Sequence, residues 1–157
     1  MVLQIVSGGQ TGVDRAALDA ALESAFPCGG WCPKGRRAED GPLPARYPLK
    51  ELASAAYPAR TARNVRDSGG TLILLRGRPD RGTALTRRLA EEAGKPLLMV
   101  DLADSAPDEA IRRILNWARE HRIEVLNAAG PREGGQPGIY REALEIMRGV
   151  VAALQDG

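Results

Sequence analysis

Ser7-Gly8-Gly9-Gln10-Thr11-Gly12-Val13-Asp14-Arg15 follows the apolar run Val2 to Val6 and opens the alanine-rich segment Ala16 to Ala25. A strand that ends in a glycine turn and feeds straight into a helix presents unpaired backbone N–H groups and the positive end of a helix dipole above the sheet edge. That arrangement receives an anion, most often a phosphate. Gly8, Gly9 and Gly12 permit the tight turn and close backbone approach, while Gln10, Thr11 and Arg15 add side-chain donors. The spacing fits neither the dinucleotide glycine fingerprint nor the Walker loop, so the specificity of neither transfers. The same residues also read as a helix cap, Thr11 at the N-cap and Asp14 completing a capping box worth about 1 kcal/mol. Asp14 would repel a phosphate unless it faces Arg15 or a neutral donor on the ligand, so its first role is the cap.

Outward from this turn, strands and helices alternate. Gly12 to Ala25 is predicted helical, with Val13, Ala16, Ala17, Ala20 and Ala21 at helical spacing, and Cys28 to Cys32 forms a second strand running into a loop. Pro33, Pro42, Pro44, Pro48 and Pro58 with Gly35 and Gly41 forbid long regular structure from Pro33 to Pro58. An irregular stretch of that length inside a compact chain is functional or disordered, and Trp31, Tyr47 and Tyr57 supply the anchors of an ordered one. A helix over Ala59 to Asp67 precedes the strand Thr71 to Leu75. Next, Arg76 to Thr83 is a second glycine-bearing turn leading into the helix Ala84 to Ala93, and it repeats the logic of the first. Leu97 to Val100 and Ile123 to Leu126 are further strands, the latter read as the last central one. Pro107 starts a helix with Ile111, Ile114, Leu115 and Ala118 inward. Asn127 to Gly138 is a third polar loop, and Ile139 to Leu154 closes the chain as an amphipathic helix. Such alternation predicts one α/β domain over residues 1–157, Rossmann-like and three-layered, with a mainly parallel central sheet and helices on both faces. Ligands then bind beyond the carboxyl ends of the strands, where the three polar loops converge.

The 157 residues suffice for a core without a staple, burying about 70% of the surface of the unfolded chain. The formal charge is only +2 and decides nothing about nucleic acid. From Lys34 to Arg66, however, eight basic residues stand against three acidic ones, so this stretch is more basic than the chain as a whole. Two cysteines, Cys28 and Cys32, and one histidine, His121, cannot build a Cys/His zinc cage, and no metal ligands are assigned. Cys32 reads as a small buried thiol, Trp117 as packing or an oligomer contact, and His121 as a helix-end residue. The first apolar run is interrupted by Gln4 and too short for a signal peptide, and no apolar run spans a membrane. The expected location is the cytoplasm, with reduced thiols.

The blocks Ser7–Leu22, Gly29–Leu49, Arg60–Leu74, Arg81–Pro96 and Leu126–Tyr140 together resemble the molybdenum cofactor carrier family of small Rossmann-like proteins, nearly end to end. The resemblance implies binding of a phosphorylated pterin or nucleotide-like ligand, the molybdenum cofactor (molybdopterin) foremost, by a homo-oligomer, dimer or tetramer. It also implies molybdoenzymes or cofactor-synthesis proteins as partners, and no membrane. The related lysine-decarboxylase-like phosphoribohydrolases carry a P-G-G-x-G-T-x-x-E loop. In this chain the loop reads Pro79 to Thr86, with Gly82-Thr83 kept to cradle a phosphate and Thr86 in place of the glutamate. A hydroxyl supplies neither the charge nor the general base of that carboxylate, so no catalytic residue is assigned. The single-strand DNA-binding proteins of natural transformation have a first turn similar to Ser7–Asp14.

Three readings therefore stand side by side. A binding protein needs only donors and shape, supplied by Gly8, Gly9, Gln10, Thr11, Gly12, Arg15, Lys34, Arg36, Arg37, Gly82, Thr83 and Asn127, with the Lys34–Arg37 segment closing over the anion. A nucleotide-directed enzyme would draw on Asp14, Asp67, Asp80 or Glu133. A single-strand nucleic-acid binder would need stacking platforms, and Trp31, Tyr47 and Tyr57 are the aromatics near the basic segment. Asn64 and Asp67 are placed to hold the basic loop rather than to touch a ligand.

Overall fold

The computed structural model describes all 157 residues. Its strands are β1 (Gln4–Val6), β2 (Cys28–Gly29), β3 (Trp31–Cys32), β4 (Arg37–Ala38), β5 (Gly41–Pro42), β6 (Lys50–Glu51), β7 (Gly70–Leu75), β8 (Leu97–Asp101) and β9 (Val125–Ala129). The helices are α1 (Val13–Glu23), α2 (Tyr57–Arg66), α3 (Arg81–Glu92), α4 (Pro107–Glu120) and α5 (Ile139–Asp156). Five strands form the central sheet in the order β2-β1-β9-β7-β8, every neighbouring pair parallel.

Handedness sorts the helices. The chain moves toward the β8 edge through α2 and α3 and toward the β2 edge through α1 and α4, and right-handed crossovers put those two sets on opposite faces. Accordingly α1, α4 and α5 pack together on one face, and α2 and α3 pair on the other. The first face carries the main core, where Ile5, Leu72, Leu74, Leu126 and Ala128 meet Val13, Ala17, Ile114, Ala143 and Met147, all essentially excluded from solvent. Gly149 lets α5 approach α4 so closely that a Cβ there would lie 2.3 Å from Ile111 Cδ1. Trp117 belongs to this core, and His121 caps the end of α4 beside it.

The opposite face is polar at its centre. Asn127, expected to begin a loop, continues β9, because its Nδ2 donates to Thr71 Oγ1 of β7 at 3.2 Å and is thereby accommodated in the sheet. The strand expected over Ile123 to Leu126 thus runs from Val125 to Ala129, and it lies in the middle of the sheet. The predicted strand Cys28 to Cys32 divides at Gly30, whose φ of +124° and contact with Ser7 O turn the chain away. Beyond it β3 pairs with β6 outside the main sheet.

Residues 33–56 form a strap with only two-residue strands. Arg36, at φ +55°, donates to the carbonyls of Leu43, Pro44, Tyr47 and Leu49 over 2.8–3.2 Å. Leu43, Tyr47 and Leu49 bury themselves with Cys32 and Leu18 in a small second core, and burial pushes the Cys32 thiol up. Asp40 pairs with Arg15, and Tyr47 Oη donates to Asp19, which fastens the strap to α1. Lys95, in the turn between α3 and β8, donates to the carbonyls of Val65, Arg66 and Ser68, closing the carboxyl end of α2.

Candidate functional site

The chain leaves β1 toward one edge and β7 toward the other, with β9 between them, and such a switch opens a crevice above the carboxyl ends. A cavity of about 970 Å³ lies there, between α2 and α3. Tyr57, Arg60, Thr61 and Asn64 present one face of α2 to it, spaced as one side of a helix. From the other side, α3 meets the cavity with its cap Asp80 and first turn, Arg81, Gly82 and Thr83, and along its flank as far as Thr86 and Arg88. Gly8, Gln10 and Asp14 of the first turn, Asn127 to Ala129 of β9 with Gly130 and Arg132 after it, and Glu39 of the strap supply the remaining wall.

The second turn is open for a ligand. Asp80 caps α3, its Oδ1 accepting from Thr83 N at 2.7 Å. A Cβ on Gly82 would meet nothing closer than Asp80 Oδ1 at 3.8 Å, so the space over this turn is free. Thr83 is 2% exposed, and its hydroxyl is buried with no hydrogen-bond partner. An orphaned buried hydroxyl costs on the order of 1–3 kcal/mol, which a ligand oxygen would return. One turn further on, Thr86 Oγ1 donates back to Gly82 O at 3.1 Å.

The first turn is filled by the protein. Val13 N donates to Pro131 O, Gln10 N to Asp14 Oδ2, Thr11 N to Gln10 Oε1 and Gly9 N to Ser7 Oγ. A Cβ on Gly12 would lie 2.2 Å from Pro131 O, so the β9–α5 loop rests directly on the start of α1. Its carbonyls, meanwhile, hold arginines: Gly8 O accepts from Arg60 Nη1 at 3.0 Å and Gly9 O from Arg15 Nε at 3.2 Å. A Cβ on Gly8 would strike the Arg60 side chain at 2.2 Å, so glycine is required there to let the guanidinium lie across the turn. Neither Thr11 nor Asp14 caps α1. Thr11 Oγ1 instead donates to Glu39 and accepts from Glu133 N, and Asp14 turns back toward Arg60, 3.4 Å away. Burial pushes the Asp14 carboxyl up to about 6, against the pull of Arg60 and Arg15 and of the Gln10 and Gly8 amides.

Of the residues expected at the site, the cavity brings together Gly8, Gln10, Gly82, Thr83 and Asn127. Thr11, Gly12 and Arg15 line a second cleft of about 830 Å³ on the far side of Glu39. Gly9 faces Leu43 and Leu49. Lys34, Arg36 and Arg37 line neither space: Arg36 is occupied by its four carbonyls, and Arg37 stacks on Tyr57 at 4.4 Å. The strap residue that reaches the first turn is Glu39, whose carboxylate also accepts from Gly134 N and Arg132 Nη1 and is held below its ordinary range by these bonds. Asn64 clasps the Trp31 backbone through Oδ1 and Nδ2, and Asp67 accepts from Trp31 Nε1, so both hold the loop. Glu133 accepts from Gly138 N and Tyr140 N at the start of α5. Trp31 lies under Arg63 and Lys50, Tyr47 under Arg15 and Arg46, and Tyr57 under Arg37 and Arg60.

Sequence reasoning missed Arg60 and the inward turn of Asp14. The one local signal for Arg60 was a helix, Tyr57–Arg66, with arginines and no acid to pair them within it. Its contact with Gly8 spans 52 residues and leaves no short-range trace.

The model of the circularly permutated YpsA SLOG family matches residues 5–151. No curated protein matches the chain. Among solved structures it is similar to a protein from Syntrophus aciditrophicus SB named "Putative molybdenum carrier protein", determined at 1.45 Å resolution. The two are 45% identical, the match covers 96% of this chain and 95% of that one, and the TM-score is 0.93.

Proposed function

This chain belongs to the circularly permutated YpsA SLOG family, and from that membership and the shape of the cavity we propose that it is a carrier for a small phosphorylated ligand. The anionic end rests on the amino end of α3, with Gly82 and Thr83 as donors and Arg60 opposite. The organic end, a pterin or nucleotide-like ring, lies along Gln10 and Asn127. The molybdenum cofactor is the expected cargo, in keeping with the name of the similar structure. The observation that carries this reading is the buried, unpartnered hydroxyl of Thr83, in the first turn of α3 on the cavity wall.

The donor set suits a phosphate and an amide-bearing ring. The lining contains no cysteine or histidine, and no group of three metal-ligating side chains occurs in the chain, so any metal arrives held by its own organic ligand. The carrier works as a homo-oligomer, dimer or tetramer, in the cytoplasm, and hands its cargo to molybdoenzymes or takes it from cofactor-synthesis proteins.

A nucleotide-directed enzyme of the phosphoribohydrolase type is the second reading, favoured by one observation, the buried Asp14 carboxyl within the cavity. Against it, the position of the loop glutamate holds Thr86, whose hydroxyl is tied to Gly82. A single-strand nucleic-acid role is poorly supported, because all three candidate stacking rings are engaged by arginine or lysine.

Native mass spectrometry of the gently purified protein, with metal analysis and identification of the molecule released on denaturation, tests the proposal. A phosphorylated pterin supports it. A nucleoside monophosphate together with release of free base on incubation transfers the assignment to the enzyme.

A further inference from the structure

Arg60 already donates to three acceptors, its Nε lying 3.4 Å from Tyr57 O. Its Nη1 lies 3.0 Å from Gly8 O and 3.4 Å from Asp14 Oδ2, and its Nη2 has no protein partner. An oxyanion held by Nη2 adds a second negative charge beside a guanidinium already paired with one. Two anions around one buried guanidinium repel each other, and the repulsion falls on whichever can change its charge. Asp14 can do so by taking a proton.

The charges facing Asp14 are Arg60 from α2 and Arg15 from its own helix, with the Gly8 and Gln10 amides. Farther round the wall stand Glu39 from the strap, Asp80 before α3, and Arg132 after β9, with Arg81 and Arg88 along α3. Burial outweighs the nearby cations and leaves the Asp14 carboxyl at about 6, so a modest added repulsion suffices to neutralise it near neutral pH. On the anion site proposed above, we propose that capture of an oxyanion in this cavity is coupled to protonation of Asp14. The proton comes from solvent, the carboxylate becomes a neutral acid, and Arg60 turns its whole charge to the anion. Loading is thereby favoured on the acid side of neutrality and release on the alkaline side.

Sulfate is the probe, because it stays doubly charged throughout the range and brings no titration of its own. Its binding to the full chain is followed by the amide signals of Gly82 and Thr83. The dissociation constant is expected to weaken about tenfold between about pH 5 and about pH 8, as for a shift of one pKa unit, and to stay flat in Asp14→Asn. Calorimetry of the wild-type protein in two buffers of different ionisation enthalpy should show proton uptake near pH 7, a measurement that needs no variant. Sulfate that moves these signals with equal affinity at both pH values and no proton uptake overturns the coupling and leaves the anion site standing. Sulfate that moves neither signal at any pH overturns the anion site, and the coupling with it.

Discussion

The two strand-to-helix turns share a connection and have opposite polarity. After β1, the backbone N–H groups of Gly9, Gln10, Thr11 and Val13 are taken by Ser7, Asp14, Gln10 and Pro131, and the carbonyls of Gly8 and Gly9 point at arginines. After β7, one N–H is capped by Asp80, the glycine is uncovered, and a buried hydroxyl is left over. A glycine-rich turn is therefore no anion site by composition alone. What decides is whether the rest of the chain has already spent its donors. In the proposed carrier the first turn would serve the anion at one remove, by positioning Arg60, and the second would serve it directly.

The sharpest way to break this contrast is Arg60→Ala. Removing Arg60 should cost about 2 kcal/mol at neutral pH in chemical denaturation, because the stranded Asp14 can escape its lost partner by taking a proton. Because Asp14 has a raised native pKa, its protonated form needs no counter-ion, so the loss should shrink as pH falls toward about 5. An equal loss at both pH values would mean that Asp14 is not the group left stranded. Next comes Gly12→Ala, which places a Cβ at φ +79° against Pro131 O and should destabilise by about 2 kcal/mol without touching the cavity wall. Thr83→Val should weaken the binding of a phosphorylated ligand about tenfold and leave the unfolding midpoint unchanged or slightly higher, since the orphaned hydroxyl stabilises nothing in the empty protein. The smallest effect belongs to Gly82→Ala, which should raise stability by about 0.5 kcal/mol through helix propensity while lowering phosphate affinity. A loss of stability there would show the second turn to be as crowded as the first.

The alternation of apolar runs and glycine turns made the architecture legible, and β7, α3, β8 and α5 fall within a few residues of where periodicity places them. The extent of β9 was hidden because Asn127 reads as a loop residue until Thr71 is beside it, a pairing made across 56 residues. That Gly82 and Thr83 would stand at a strand-to-helix turn, now seen on the cavity wall, was legible from their own neighbours. Whether Arg15 and Arg36 were free for a ligand was not, because each is consumed by groups elsewhere in the chain: Asp40 for one, four strap carbonyls for the other. Sequence shows which residues can donate and leaves out which have already done so.

Arg36 has a further consequence for how the strap comes and goes. The four carbonyls it gathers all lie within 13 residues of it, so the loop closes around a charged side chain at small entropic cost and without help from the sheet. The ties to α1, Arg15 to Asp40 and Asp19 to Tyr47, bridge 25 and 28 residues and are separate from that inner knot. The strap thus has a local frame of its own, laid against α1 by those ties and by the packing of Leu43, Tyr47 and Leu49 on Leu18. Hydrogen exchange would register it as an opening unit of its own, below the global unfolding of the sheet.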